Sequence, residues 1–290
     1  MPQQTDNEFA PGCIVELSPR LRRLTGNNPG IMTGPGTNTY LVGHERIAVI
    51  DPGVEDEQHV QRIAELGDGR IEWILVTHAH PDHSPASRAL SRLTGAPVLA
   101  HPHRLQGIRD TDFRADGHLL DNEALRTPEF TLRAIHTPGH AADHLAFLLE
   151  EDAILLAGDQ VMDGATVVIA PPDGDMAAYL DSLRKLRELH LRAIAPAHGR
   201  LLESPQAVFD EIIKHRLARE AMVLAAVCDA GHHQITEMVK YIYTDVPEVL
   251  HPVAEGSVHA HLLKLQDEGL VREEDGHWLP AHQGKGEQSA

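Results

Sequence analysis

The run Thr77-His78-Ala79-His80-Pro81-Asp82-His83 places three imidazoles and a carboxylate within six consecutive positions. Imidazole nitrogen and carboxylate oxygen at that density suit zinc or another borderline divalent cation. Three later turns each add one donor. His140 ends Thr137-Pro138-Gly139-His140, Asp159 ends Ala157-Gly158-Asp159, and His198 stands in Pro196-Ala197-His198-Gly199. Any one of these alone reads as an ordinary polar turn residue. The ordered set points to metal-assisted hydrolysis, in which bound cations lower the pKa of water and take up charge on the reacting group. No serine triad or cysteine nucleophile is evident.

Each donor follows an apolar run with the character of a strand. Ile71–Val76 precedes the histidine loop, Thr131–His136 precedes His140, Ala153–Leu156 precedes Asp159, and Ala193–Ala195 precedes His198. Turns past strand ends let a rigid scaffold aim side chains into one cleft. Further strands are expected at Thr37–Gly43, Arg46–Ile50, Pro97–Ala100 and His144–Leu149, and helices at Glu55–Leu66, Ser84–Leu93 and Met176–His190. The segment before Gly34-Pro35-Gly36 reads as irregular. Strands and helices alternate and then repeat that order, which implies two sheets packed face to face with helices outside. Past Pro205 the pattern becomes helical, over Ala207–Asp229, Ile235–Tyr243 and Gly256–Asp267. A hairpin then pairs Leu270–Arg272 with His277–Leu279, which completes the winged-helix order.

The 290 residues suffice for one large domain or for a medium domain and a small one. No apolar run is long enough to span a bilayer, and the polar start lacks the layout of a signal peptide, so no membrane association and a cytoplasmic location are expected. Cys13 and Cys228 read as reduced thiols. The net charge of -18 repels polyanions and weighs against broad nucleic-acid binding. Between Glu211 and Ala290 acidic residues outnumber basic ones, and Gly256–Asp267 carries only Lys264 as a fixed positive charge. A groove-reading helix needs several, so no binding to duplex DNA is expected and a DNA-binding regulator is disfavoured.

With these motifs in place, and with Asp51 in Ile50-Asp51-Pro52-Gly53, the chain resembles the metallo-β-lactamase superfamily over roughly Thr37 to Leu202. The resemblance implies an α+β fold. It comprises an αββα catalytic domain over 1–206, a linker helix and winged-helix domain over 207–280, and a polar tail over 281–290. It also implies a metal-dependent hydrolase with two Zn2+ per chain. His78, His80 and His140 would hold one zinc, Asp82, His83 and His198 the other, and Asp159 would bridge them. A metal-bridging hydroxide would attack the substrate, with Asp82 orienting it and Asp51 holding the ligand loop in place. His80 stands where di-iron members resemble a glutamate pattern, which favours zinc, with Mn2+ the alternative.

The stretch from Asn28 to Gly43, with the winged helix, resembles the β-lactamase-like protein 2 group. Relatives there include a single-strand endoribonuclease and fungal thioesterases that release polyketides from carrier protein. The expected substrate is a small-molecule or acyl ester or thioester, because the chain is acidic and lacks a basic track. Single-stranded RNA is the alternative. Asn38, His215, Arg216 and Arg219 are the expected substrate-binding residues. The winged helix is expected to form a lid over the site, or a homodimer element.

Overall fold

The computed structural model describes residues 6–102, 110–244 and 246–281. The tail expected over 281–290 lies, from 282 onward, outside the described residues.

A first sheet contains, in spatial order, β1 (Ile14–Ser18), β2 (Leu21–Thr25), β3 (Asn38–Val42), β4 (Ile47–Ile50), β5 (Ile71–Leu75), β6 (Val98–Ala100) and β7 (Gly117–His118). Strands β1 to β4 are antiparallel, and β4 to β7 are parallel. The parallel pairs are joined through α1 (Glu57–Gly67), between β4 and β5, and α2 (Ala86–Thr94), between β5 and β6. A second sheet contains β8 (Ala124–Arg126), β9 (Thr131–His136), β10 (Leu145–Leu149), β11 (Ile154–Gly158) and β12 (Ala193–Pro196), with α3 (Met176–Arg187) crossing between β11 and β12.

Side chains alternate along each strand, and this assigns the layers. Tyr40, Val42, Ala48 and Ile50 face inward and meet Leu132, Ala134, Phe147 and Leu156 of the second sheet. Their neighbours Leu41, Ile47 and Val49 face outward and pack on Val60, Ile63 and Leu90 of α1 and α2. On the far side, Ile135, Ala146, Leu155 and Ile194 pack on Tyr179, Leu180 and Leu183 of α3. Burial on both faces explains why these strands read as nearly continuous apolar runs. The αββα layering follows the expectation from sequence.

A second unit follows. It consists of α4 (Pro205–Cys228), α5 (Ile235–Ile242), α6 (His251–Asp267) and the hairpin β13 (Val271–Glu274) and β14 (His277–Pro280). Val223, Val239, Val258, Leu262 and Trp278 form its core, in winged-helix order. Phe209 on α4 and Ala260 on α6 join the core beneath α3, so this unit is packed onto the two-sheet one.

Two expectations are corrected. The segment before Gly34 is not irregular, because β1 and β2 form a hairpin that continues the first sheet. Charged residues disguised it: Arg23 on β2 is buried, held by Glu8 and by the ring of Phe9. Helix α6 also begins at His251, not at Gly256, with Pro252 in its first turn, where a missing N–H costs nothing. Gly256 lies inside the helix for packing reasons. A Cβ there would meet Ala170 Cβ at 2.8 Å, so the glycine lets α6 approach the loop that walls the site.

Candidate metal centre

Strands β4 and β5 run parallel, and Asp51 and the histidine loop follow their C-terminal ends. Strands β9, β11 and β12 share one direction, because β10 is antiparallel to β9 and to β11 while β12 is parallel to β11. The turns bearing His140, Asp159 and His198 therefore emerge from one edge of the second sheet.

The structure brings all the expected donors together, in two groups. His78, His80 and His140 form one, and Asp82, His83, Asp159 and His198 form the other. His78 Nε2 and His140 Nε2 stand 2.9 Å and 3.0 Å from His80 Nδ1. In the second group Asp82 Oδ2 lies 3.5 Å from His83 Nε2 and 3.3 Å from His198 Nε2. Asp159 Oδ1 lies 3.4 Å and 3.3 Å from the same two nitrogens, while its Oδ2 lies 3.6 Å from His140 Nε2. The carboxylate of Asp159 thus reaches both groups.

The outer contacts fix the tautomers. Asp51 accepts from Thr77 N at 2.8 Å and Thr77 Oγ1 at 2.7 Å, and lies 2.9 Å from His83 Nδ1. The Thr77 hydroxyl proton is therefore spent on Asp51, and the hydroxyl accepts from His78 Nδ1 at 3.0 Å. His140 Nδ1 donates to Val168 O at 2.7 Å, and His198 Nδ1 to Gly36 O at 3.3 Å. Each of these four rings thus keeps its Nδ1 proton in an outer contact and turns Nε2 inward, the nitrogen a metal ligand offers once it carries no proton.

The same atoms test the fit to a cation. His83 Nε2, His198 Nε2 and Asp159 Oδ1 are buried without a hydrogen-bond partner. Buried polar atoms are rarely left so, and three that converge on one point suit a divalent ion. Burial would depress the basicity of His198, but Asp159 and Asp82 outweigh it and push its pKa up to about 9. His83 is likewise raised against burial, by Asp82, Asp159 and Asp51. Burial, reinforced by neighbouring imidazoles, holds His78 well below its usual range.

Two residues that sequence reasoning passed over support the cluster. His144, buried just before β10, accepts from Asp159 N at 3.1 Å through Nε2 and meets Thr137 Oγ1 at 2.8 Å through Nδ1. A Cβ on Gly158 would come within 2.5 Å of that Nε2, so a glycine is required beside it. Asp143 accepts from Ala79 N at 3.1 Å and steadies the histidine loop. Their position three and four residues after His140 was the available signal.

The expected substrate residues divide. Asn38 is corrected: it is fully buried, donates to Pro196 O at 3.0 Å and Gly199 O at 2.9 Å, and accepts from Thr25 Oγ1 at 3.0 Å. Its amide is consumed in bracing the turn that carries His198. His215, Arg216 and Arg219 line a chamber of about 290 Å³ between the two units. That chamber adjoins a cavity of about 370 Å³ whose floor includes His80, Asp82, His140 and Asp159 and whose walls include Met32, Met162 and Val168. Of the donors in the second group, Asp82 has the most exposed side chain. Val168 gives its carbonyl to His140, and Val167 gives its own to Arg216.

Residues 32–198 match the profile described as the Metallo-beta-lactamase superfamily, and residues 235–278 match the Beta-lactamase associated winged helix domain. A "Beta-lactamase-like protein 2 homolog" of Drosophila melanogaster is 32% identical over 276 residues, covering 89% of this chain and 92% of the relative. An "Atrochrysone carboxyl ACP thioesterase" of Aspergillus chevalieri is 33% identical over 273 residues, covering 89% of this chain and 84% of the relative. Among solved structures, a metallo-beta-lactamase family protein from Thermus thermophilus superimposes with a TM-score of 0.76 at 25% identity, covering 91% of this chain and 100% of that one.

Proposed function

The chain belongs to the metallo-beta-lactamase superfamily of hydrolases, and on that premise we propose that it cleaves esters or thioesters with two divalent cations, zinc by preference. The observation that carries this reading is the pair of donor groups on the floor of a cavity with apolar walls. Such walls suit an acyl chain better than a charged polynucleotide. The relative named as a thioesterase supports the same choice. A donor set of imidazole and carboxylate, without thiolate, suits zinc and admits manganese.

His78, His80 and His140 would hold one cation, and Asp82, His83 and His198 the other, with Asp159 shared. Bound cations would supply water of lowered pKa and a counter-charge for the developing oxyanion. Asp82 faces the cavity and is placed to orient an attacking water. Asp51 touches no substrate and acts by holding His83 and Thr77. Pro171, Pro172 and Ala170 keep one wall dry. Water adds to the acyl carbon, the carbon–sulfur or carbon–oxygen bond breaks, and the thiol or alcohol leaves with a proton. The winged-helix unit closes the adjoining chamber as a wall.

The test sets zinc-loaded protein beside its Asp82→Asn variant on an acyl thioester and a labelled single-stranded RNA at matched concentration. Thioester cleavage lost in the variant, with RNA intact throughout, is the expected result. RNA cleavage lost in the variant, with the thioester untouched, would move the protein to the nucleases.

A further inference from the structure

The cavity over the donor cluster and the chamber beneath the helical unit share Met32, Met162, Val167 and Val168, so they adjoin along these four apolar side chains. The far chamber is walled by Leu250, Val253 and Ala254 of the helical unit, and Arg216 reaches it from α4. Arg216 is 3% exposed. Its Nη2 donates to Val167 O, and its guanidinium sits 5.3 Å from the Tyr179 ring centre. Its Nε is buried without a partner, and no carboxylate among the described residues pairs with it.

A guanidinium keeps its charge in any surroundings, and a buried charge without a counter-ion is strongly disfavoured. A chamber lined largely by apolar side chains, with a buried guanidinium in its wall, is suited to an amphipathic ligand that ends in an anion. Arg219 and His215 stand on the same wall. Arg219 donates to Ile242 O at 3.1 Å and lies over the ring of Tyr243, which keeps that side of the chamber in place.

We propose that the far chamber holds the distal end of the acyl substrate, and that this end carries a carboxylate or equivalent anion paired by Arg216. The inference rests on the ester or thioester reading above and narrows it. The substrate class is an activated monoester or monothioester of an apolar dicarboxylic acid. The reacting carbonyl lies over the donor cluster, and the apolar body lies along Met32, Met162, Val167 and Val168.

The test uses N-acetylcysteamine thioesters of graded chain length, each ending in either a methyl or a carboxylate group, with zinc-loaded protein. At the best length the carboxylate series should show a KM lower by roughly ten- to a hundredfold, the worth of a charge-assisted bond. Arg216→Gln should remove that preference, and Arg216→Lys should restore part of it. A second readout follows the labelled methyl resonances of Met32 and Met162 during titration with the free dicarboxylic acid, which should shift both. Equal KM values for the two series in the unmodified protein would overturn the proposal without recourse to any variant. If no thioester is cleaved but the diacid still shifts both methyls, and does so only with Arg216 present, the subsite stands and the hydrolytic reading falls. If a single-stranded RNA shifts these methyls and the diacid does not, the subsite proposal falls.

Discussion

Asp51 Oδ2 lies 2.9 Å from His83 Nδ1, and the same carboxylate accepts two hydrogen bonds from Thr77. One residue at the end of β4 therefore orients donors in both groups, His83 directly and His78 through the Thr77 hydroxyl. Asp51 does this from the left-handed region, at a φ of 49°, a conformation that aspartate tolerates better than most residues.

Asp51→Ala should weaken metal binding roughly ten- to a hundredfold, as loss of an orienting outer partner does. Competition with a chromophoric chelator measures this. Unchanged affinity would mean that the imidazoles hold their tautomers unaided.

Asp82→Asn should lower the hydrolytic rate by roughly a hundred- to ten-thousandfold, the cost of losing both an oxygen that would hold the cation and the group that orients the attacking water. Circular dichroism should be unchanged, because the side chain borders the cavity and no core cluster includes it. Near-normal turnover would remove Asp82 from the mechanism.

Stripping the metal with a chelator should lower the melting temperature. A cation present at roughly a hundred to a thousand times its Kd stabilises the native state by about 3–4 kcal/mol. For a chain of this size that is on the order of 10 °C. Calorimetry before and after re-addition of zinc checks it, and identical transitions would argue against a bound cation.

Asn38→Ala should cost about 1–3 kcal/mol, because Pro196 O and Gly199 O each lose one of two buried donors and Thr25 Oγ1 loses its acceptor. Denaturant titration reads the loss. The KM should not change beyond what weaker metal binding explains. A KM effect at full metal loading would restore Asn38 as a substrate contact.

Glu220 joins α4 to α6 through Lys264 at 2.8 Å and His261 at 3.3 Å. Burial raises its carboxyl pKa, but these two partners outweigh it and leave the pKa below the usual range. A carboxylate depressed on folding stabilises above its unfolded pKa of about 4.3, and that contribution disappears as pH falls through the folded value. Glu220→Gln should therefore melt lower than the parent at neutral pH, and the two curves should converge below about pH 4. A difference that persists into acid would show that the contact acts through shape alone.

Much of the site was legible because its chemistry is local in the chain. His78, His80, Asp82 and His83 are adjacent, and each later donor directly follows an apolar run. What was hidden depends on distant partners. Asn38 looks like a turn residue until Pro196 and Gly199, 158 and 161 positions away, take its amide. Arg23 looks like a surface cation until Glu8 and Phe9 cover it, and this concealed the N-terminal hairpin. Gly256 read as a helix boundary because its tight neighbour Ala170 belongs to another unit. His144 lay beside a recognised motif, yet only the folded backbone shows its bond to Asp159.

Val167 and Val168 offer consecutive carbonyls to two different side chains, Arg216 and His140. Adjacent Cα atoms are held about 3.8 Å apart by the covalent chain. The dipeptide therefore works as a caliper whose two jaws are the buried cation of α4 and an imidazole of the donor cluster. Swapping the valine side chains would widen or narrow the junction of cavity and chamber, while the span between the jaws would stay set by the backbone.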